Sequence, residues 1–364
     1  GTSFERFITR PSYEFNIASG KWISTSIYPV RNLKPEKTRS WEVGVNSKWL
    51  NNRLSFDLTY YRSSTINQTF TADLSVSSGY SKAYIQSGNV RNEGMEIALG
   101  YSDKWGGFSW DSNLTFSWNQ NKIIKLTEGS VNPMTGEPIT KDNYEMGQLG
   151  NLDARVKLYK GGSIGDVYAT HRIKRDGNNN IYVSQEGKIE IESVEEFKLG
   201  SILPKSNMGW SNNFSYKGVN LGVTLTARFG GIALSGTQST LDQYGVSQVT
   251  ADYRDAGGIS TNYGYVDTEK YFDTVKGYAA YYTYSATNVR LSELNLSYTL
   301  PQKWFRDKLR MTVGLVGKNL WMIYCKAPFD PEATASTQSN YYQSYDYFMQ
   351  PTTRNIGFSV KLNF

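Results

Sequence analysis

The feature that most constrains this chain is strict two-residue alternation of apolar and polar side chains, arriving in paired segments. Trp41, Val43, Val45 and Trp49 share one face, with Glu42, Gly44, Asn46 and Lys48 on the other. After Asn51-Asn52 the alternation resumes, with Leu54, Phe56, Leu58 and Tyr60 set against Ser55, Asp57, Thr59 and Tyr61. That is a β-hairpin with one apolar and one wet face. Three more hairpins follow. Met95–Tyr101 turns through Lys104-Trp105-Gly106-Gly107 into Phe108–Trp118; Met208–Tyr216 turns at Lys217-Gly218 into Val219–Phe229; Leu294–Leu300 bends through Pro301–Lys308 into Leu309–Leu315. A last strand carries Ile356, Phe358, Val360, Leu362 and Phe364. Counting it gives nine strands. Ser47, Ser112 and Asn212 interrupt the apolar face.

Connection lengths say what kind of sheet this is. Turns inside hairpins take about two to eight residues, whereas links between hairpins run to roughly 27, 85, 58 and 30, far beyond the few-residue norm of compact domains. Short and long links alternate. Barrels of the outer membrane sort their connections this way, short at the periplasmic end and long outside; a soluble sandwich has no reason to. The aromatics agree. Trp41 and Trp49 bracket Val43 and Val45, and Phe108 and Trp110 stand across Leu114 from Trp118, as girdles at the rims of an apolar band require. A sandwich core would bury its aromatics mid-strand.

Composition is compatible with this. No stretch approaches about 18 consecutive apolar residues, which excludes a spanning helix but not a barrel, where only alternate residues meet lipid. The net charge of +6 comes without a dense basic run, so Lys and Arg are read as loop and lumen residues and no nucleic-acid partner is expected. Cys325 is the single cysteine and has no internal disulfide partner. Gly1-Thr2-Ser3-Phe4 is not a secretion signal, so the chain is expected to be processed or to be a piece of a longer protein.

Chemistry is sparse. His171 is the only histidine, which rules out a multi-histidine metal site or a Ser-His-Asp set within the chain, and it is read as a solvated loop residue. Asp176-Gly177-Asn178-Asn179-Asn180 has the look of a calcium loop, but Ile181 and Gly187 stand where Gly and Glu are needed; a turn between Arg172–Arg175 and Ile181–Val183 is the better reading. Glu195-Glu196 is a solvated pair, and Asp330-Pro331-Glu332 a turn in which Pro331 fixes φ. No acid/base constellation is found, and no enzyme, metal or cofactor is expected. The candidate ligand or lid surface is the aromatic content of the long loops: Tyr263, Tyr265, Tyr271, Tyr281 and Tyr282, with Tyr342, Tyr345 and Tyr347 further on. Such rings stack on sugars or peptide side chains, anchor a protein interface, or pack the loops against one another.

Several segments, in order along nearly the whole chain, resemble the SusC/RagA family of TonB-dependent outer-membrane transporters. They are Leu33-Lys34-Pro35-Glu36-Lys37-Thr38 leading to Trp41-Glu42-Val43-Gly44, Asn51–Tyr61, Gly88-Asn89-Val90-Arg91-Asn92-Glu93-Gly94-Met95-Glu96, Leu199-Gly200 with Pro204, Phe229-Gly230-Gly231, Gly317-Lys318-Asn319-Leu320, Asp330-Pro331-Glu332 and Pro351-Thr352-Thr353-Arg354. Val289–Pro301 is the most specific. The third segment departs from the family pattern at Met95, where Ile is usual.

The resemblance implies an all-β, antiparallel transmembrane β-barrel, of which residues 1–364 are the C-terminal part: the last eight or nine strands of about 22, with long extracellular loops. Plug and N-terminal segments would lie upstream. It further implies TonB-dependent import of a glycan or oligopeptide across a Gram-negative outer membrane, with a SusD-like lipoprotein as lid and TonB engaged through the upstream part. Phe364, in register with Leu362 and Val360, would be the signal for the barrel-assembly machinery. A siderophore or cobalamin receptor, or a non-importing barrel acting as adhesin or passive pore, is the alternative.

Overall fold

The computed structural model describes residues 13–16, 20–24, 27–28, 34–73, 80, 82–128, 131, 136–138, 143–306, 308–333 and 343–363. Nine strands form one antiparallel meander: β1 (Lys37–Trp49), β2 (Leu54–Asp73), β3 (Lys82–Trp105), β4 (Phe108–Lys125), β5 (Ser206–Tyr216), β6 (Val219–Phe229), β7 (Asn288–Thr299), β8 (Arg310–Cys325) and β9 (Asn355–Asn363). Each pairs with its neighbours in sequence, so spatial order is chain order, with β1 and β9 at the edges. Ile27–Tyr28 adds a short parallel pairing at the start of β3. These are the nine strands that alternation marks.

The tight turns follow from residues that tolerate positive φ. Lys217 and Gly218, at 47° and 88°, close β5 onto β6. A side chain at Gly218 would also strike the Thr299 carbonyl at 2.8 Å. Arg306, at 54°, ends the 3-10 turn Gln302–Phe305 between β7 and β8.

Pairing register carries the apolar set across the sheet without a break. One row runs Val45, Leu58, Ile97, Phe116, Met208, Ala227; another runs Phe214, Leu221, Leu296, Leu315, Phe358. A bulge at Ser292 between Leu291 and Glu293 resets the phase of β7, keeping Leu291 and Leu294 on the same face. Val43 is 62% exposed and Phe358 69%. An apolar surface this continuous is one that water does not tolerate uncovered. The three polar residues that interrupt it, Ser47, Ser112 and Asn212, each accept an indole N–H from a tryptophan on that face.

The opposite face is a ladder of side-chain hydrogen bonds: Asn46 to Asp57, Tyr61 to Asn119, Asn121 to Asn92, Ser211 with Thr224. Wet chemistry on one side and hydrocarbon chemistry on the other make the sheet a barrel wall.

One expectation needs correction. The first of the long links, between the strands around Tyr60 and Met95, is not a loop. β2 continues to Asp73 and β3 begins at Lys82, paired nearly throughout from Arg62↔Glu93 to Asp73↔Lys82. Beyond Tyr61 neither face is apolar, with Arg62 and Ser64 on one and Ser63 and Thr65 on the other, so there is no apolar–polar alternation to read, yet the backbone ladder needs none. The other three long links, at 126–205, 230–287 and 326–354, are where the sequence puts them.

Most of the buried apolar packing lies in those three links, and Val90 of β3 and Ile123 of β4 join the wall to the first of them by packing with Leu126, Tyr144 and Leu158. The first holds an antiparallel sheet of Asn143–Gln148, Arg155–Tyr159, Asp166–Ile173 and Ile191–Ser201. The second holds helices α1 (Gly236–Gln243), α2 (Gln248–Asp255) and α3 (Thr268–Val275) with the hairpin Ile259–Thr261/Gly264–Val266. The third adds Tyr345–Asp346, parallel to Ile232–Ser235. All three contribute to one core, through Leu152, Val156 and Val167, then Leu234, Phe272 and Tyr282, then Tyr345. The links therefore form a cap with its own hydrophobic centre.

Candidate functional site

The cap is assembled from short, well-capped pieces. Ser235 caps α1 by accepting the Gln238 N–H at 2.9 Å and itself donates to Asp346 at 2.6 Å, which ties the second link to the third. Ser247 and Asp267 cap α2 and α3 in the same manner. On α3, Tyr271, Phe272 and Val275 turn inward.

The candidate tyrosines divide into two groups. Tyr271, Tyr281, Tyr282 and Tyr345 pack within the cap. Tyr281 meets Tyr271 and Phe272 edge-on, with centroids 5.8 and 6.3 Å apart, and Tyr282 is completely buried. The Tyr345 hydroxyl accepts the Asn151 backbone N–H at 3.1 Å and donates to that residue's side chain. A Cβ on Gly150 or Gly236 would fall within 2.2 Å of Tyr345, so both glycines are required by its seat. Burial pushes the hydroxyl of Tyr271 up, those of Tyr281 and Tyr282 far above their ordinary titration, and that of Tyr284 up to about 12. They stay neutral. Tyr263, Tyr265 and Tyr347 remain about half exposed or more. Tyr342 and Phe364 lie outside the described residues.

Two hollows flank this arrangement. A groove of about 250 Å³ in the cap is lined by Arg172, Arg175, Tyr271, Tyr278 and Tyr281. A hollow of about 550 Å³ on the wet face is lined by Asp57, Thr59, Glu96, Thr115, Ser117 and Asn207, and Glu332 of the third link reaches it. Polar side chains, aromatic faces and arginines suit the binding of hydroxyl-rich or amide-rich molecules.

Other sequence candidates take structural places. Asp176 accepts the N–H groups of Asn178 and Asn180, the Asn180 side chain and the Tyr263 hydroxyl. Its carboxylate is spent on a turn, as the sequence indicates. His171 differs from expectation: it sits in a strand, bonds Asp153 at 3.1 Å and packs on Tyr278 at 5.2 Å. Asp153 in turn accepts the Ala279 N–H, so the imidazole braces two links and is not a solvated loop residue. Among the described residues no group of three His, Cys, Asp or Glu could hold a metal.

The Asp330-Pro331-Glu332 turn proves to be more than a turn. Arg290 on β7, which hydropathy leaves unremarked, donates twice to Asp330, at 2.8 and 3.1 Å, and lies 2.9 Å from Glu332. The sequence signal was the charge complement between two segments that both resemble the family.

Comparison with known proteins agrees with this architecture. The family model described as "TonB dependent receptor-like, beta-barrel" matches residues 2–182. TonB-dependent receptor P3 of Formosa agariphila is 25% identical over 350 residues, covering 92% of this chain and 34% of that protein. TonB-dependent receptor SusC of Bacteroides thetaiotaomicron is 22% identical, covering 85% and 31%. The chain thus spans about a third of the length of the curated relatives it matches. The structure of the RagAB peptide importer in its 'open-open' state superposes with a TM-score of 0.72 at 17% identity, over 99% of this chain and 38% of that one, which bears on fold alone. With its apolar-outward wall, its cap of long links and these relatives, the chain is similar to part of the β-barrel of SusC/RagA-type TonB-dependent receptors.

Proposed function

We propose that the protein containing this chain imports an oligomeric nutrient, a glycan or an oligopeptide, across the outer membrane with energy delivered through TonB. The observation that carries the reading is the division of labour in the chain. The wall presents unbroken apolar rows outward, while three long links fold into one cored cap above the wet face. An adhesin needs no wet interior lined by carboxylates and amides, and a passive pore needs no cap of this size. A cap with exposed Tyr263, Tyr265 and Tyr347 beside an arginine-bearing groove suits the capture of a long, flexible substrate and contact with a SusD-like surface lipoprotein as lid. The relatives named SusC and RagAB support that pairing by family.

The test is uptake by cells carrying the full-length receptor, supplied with fluorescent oligosaccharides or oligopeptides, with and without an intact TonB system. Accumulation of either class that collapses without TonB is expected. Accumulation indifferent to TonB would favour a passive pore, and uptake of a metal chelate alone would favour a siderophore-type receptor. Co-purification of a lipoprotein with the intact receptor tests the lid.

A further inference from the structure

We propose that the outer face of β1–β4, just beyond the aromatic girdle, is a binding surface for the doubly phosphorylated glycolipid headgroups of the outer leaflet; this rests on the membrane placement given above. The pairing register locates the surface. The last row with hydrocarbon character is Val43, Tyr60, Met95 and Trp118. One step further from the short turns the same face carries Trp41, Arg62, Glu93 and Gln120, and the next step carries Arg39, Ser64, Arg91 and Lys122. Lys37 follows on β1, paired with Ile66. Five cations against one acid therefore occupy two or three rows on the lipid register.

The wet register at the same height is the internal control. It reads Glu42, Tyr61, Gly94 and Asn119, then Ser40, Ser63, Asn92 and Asn121, without a single cation. Cations placed merely to keep a rim soluble would not respect the two-residue alternation. At the opposite end of the wall Asp103, on the lipid register across from Trp110, is closed by Arg53 of the first short turn at 3.0 Å.

Spacing favours the phosphorylated glycolipid. Successive same-face residues are about 7 Å apart along a strand, about 5 Å along the normal at a tilt near 45°. Arg62 and the Arg39–Lys122 row thus stand one and two such steps above the last hydrocarbon row, at headgroup depth. The four strands put Arg39, Arg62, Arg91 and Lys122 across roughly 14 Å of wall, a span suited to two phosphates on one headgroup rather than to one. Arg39 and Lys122 are exposed, and Arg91 is partly exposed, its Nε making no hydrogen bond and standing 3.8 Å from Glu93.

The full-length receptor, reconstituted in phosphatidylcholine nanodiscs, is offered bisphosphorylated lipid A, monophosphoryl lipid A or phosphatidylglycerol, and retained lipid is counted by native mass spectrometry. Retention of the bisphosphorylated lipid at least roughly fivefold above phosphatidylglycerol is expected. The preference should vanish in Arg39→Ser/Arg91→Ser/Lys122→Ser and survive in Lys48→Ser on the wet register. Molar salt should abolish it in the unaltered protein, a readout independent of any variant. Equal retention of all three lipids, or a triple variant indistinguishable from the unaltered receptor, overturns the proposal while leaving the importer reading intact. Failure to enter the nanodisc at all overturns both.

Discussion

Ser112 and Asn212 stand directly opposite each other across β4 and β5, and each accepts the indole N–H of a tryptophan from the other strand. Trp210 Nε1 donates to Ser112 Oγ at 3.0 Å and Trp110 Nε1 to Asn212 Oδ1 at 3.1 Å. The arrangement repeats within β1, where Trp49 donates to Ser47 at 3.0 Å. An indole at the lipid face carries one donor that hydrocarbon cannot satisfy, so a small acceptor on the same face is the cost of placing tryptophan there. What looked like defects in the alternation are the acceptors of the girdle.

Removing an acceptor should therefore cost more than its size suggests. Ser112→Ala is expected to destabilise the full-length barrel by about 1–2 kcal/mol in reversible unfolding from lipid, because the Trp210 N–H is left unpaired. Trp210→Phe removes the donor, so adding Ser112→Ala to it should cost almost nothing further. Simple additivity of the two changes would show that the hydrogen bond is immaterial.

The facing of the wall makes a sharper prediction. Val45 lies in a mid-wall lipid row, and Asn207 lies on the wet register beside Ser117. Val45→Arg should cost about 2–4 kcal/mol at the bilayer midplane, and Asn207→Arg little. Both are read by the same unfolding measurement. Equal costs would mean that the two faces are not the solvents described here.

The wall was legible because lipid on one side and water on the other impose a period of two on the text, and nine strands followed from it. Legibility stopped where the two solvents became one. Above Tyr61 and Gly94 neither face is apolar, so twelve residues of β2 carry no apolar–polar pattern and read as loop. The cap was hidden for a different reason. Its core is built from residues distant in sequence, such as Val156, Phe272 and Tyr345, and no local period announces which links will pack together. Aromatic content marked the second and third links and passed over the first, and whether a given ring, Tyr282 or Tyr265, turns inward or outward is decided by neighbours that the local sequence does not identify.

At the cap surface, Asp176 should hold its turn into strong acid. The Tyr263 hydroxyl, then the Asn180 N–H, draw its carboxyl down to about 2 from an ordinary 3.8. A depressed carboxylate stabilises fully above its unfolded value and loses that contribution as pH falls through the folded one, so the window runs from about pH 4 to about 2. Tyr263→Phe removes the largest cause, and the carboxyl should then titrate measurably higher in a carbon-13 NMR titration of labelled aspartate. An unchanged titration would show that the tyrosine contact does not persist in solution.

The tether of the third link should prove the most costly to cut. Arg290 and Asp330 are each nine-tenths buried, and Arg290 also holds Asn288 and Glu332. Burying such a set against hydrophobic replacement brings little net stability, but removing one partner strands opposite charge in a poor solvent. Arg290→Met should therefore destabilise by about 3–5 kcal/mol, since Asp330 and Glu332 are left facing each other. Asp330→Asn should cost less, because Glu332 still answers the guanidinium and the amide oxygen still accepts from the Glu332 N–H. The loss should be local before it is global. Limited proteolysis of the full-length receptor should open the 326–354 link in Arg290→Met while the β7–β8 ladder stays protected in hydrogen exchange. A link that resists protease in that variant would show that the Tyr345 seat, and not the arginine, fastens it to the cap.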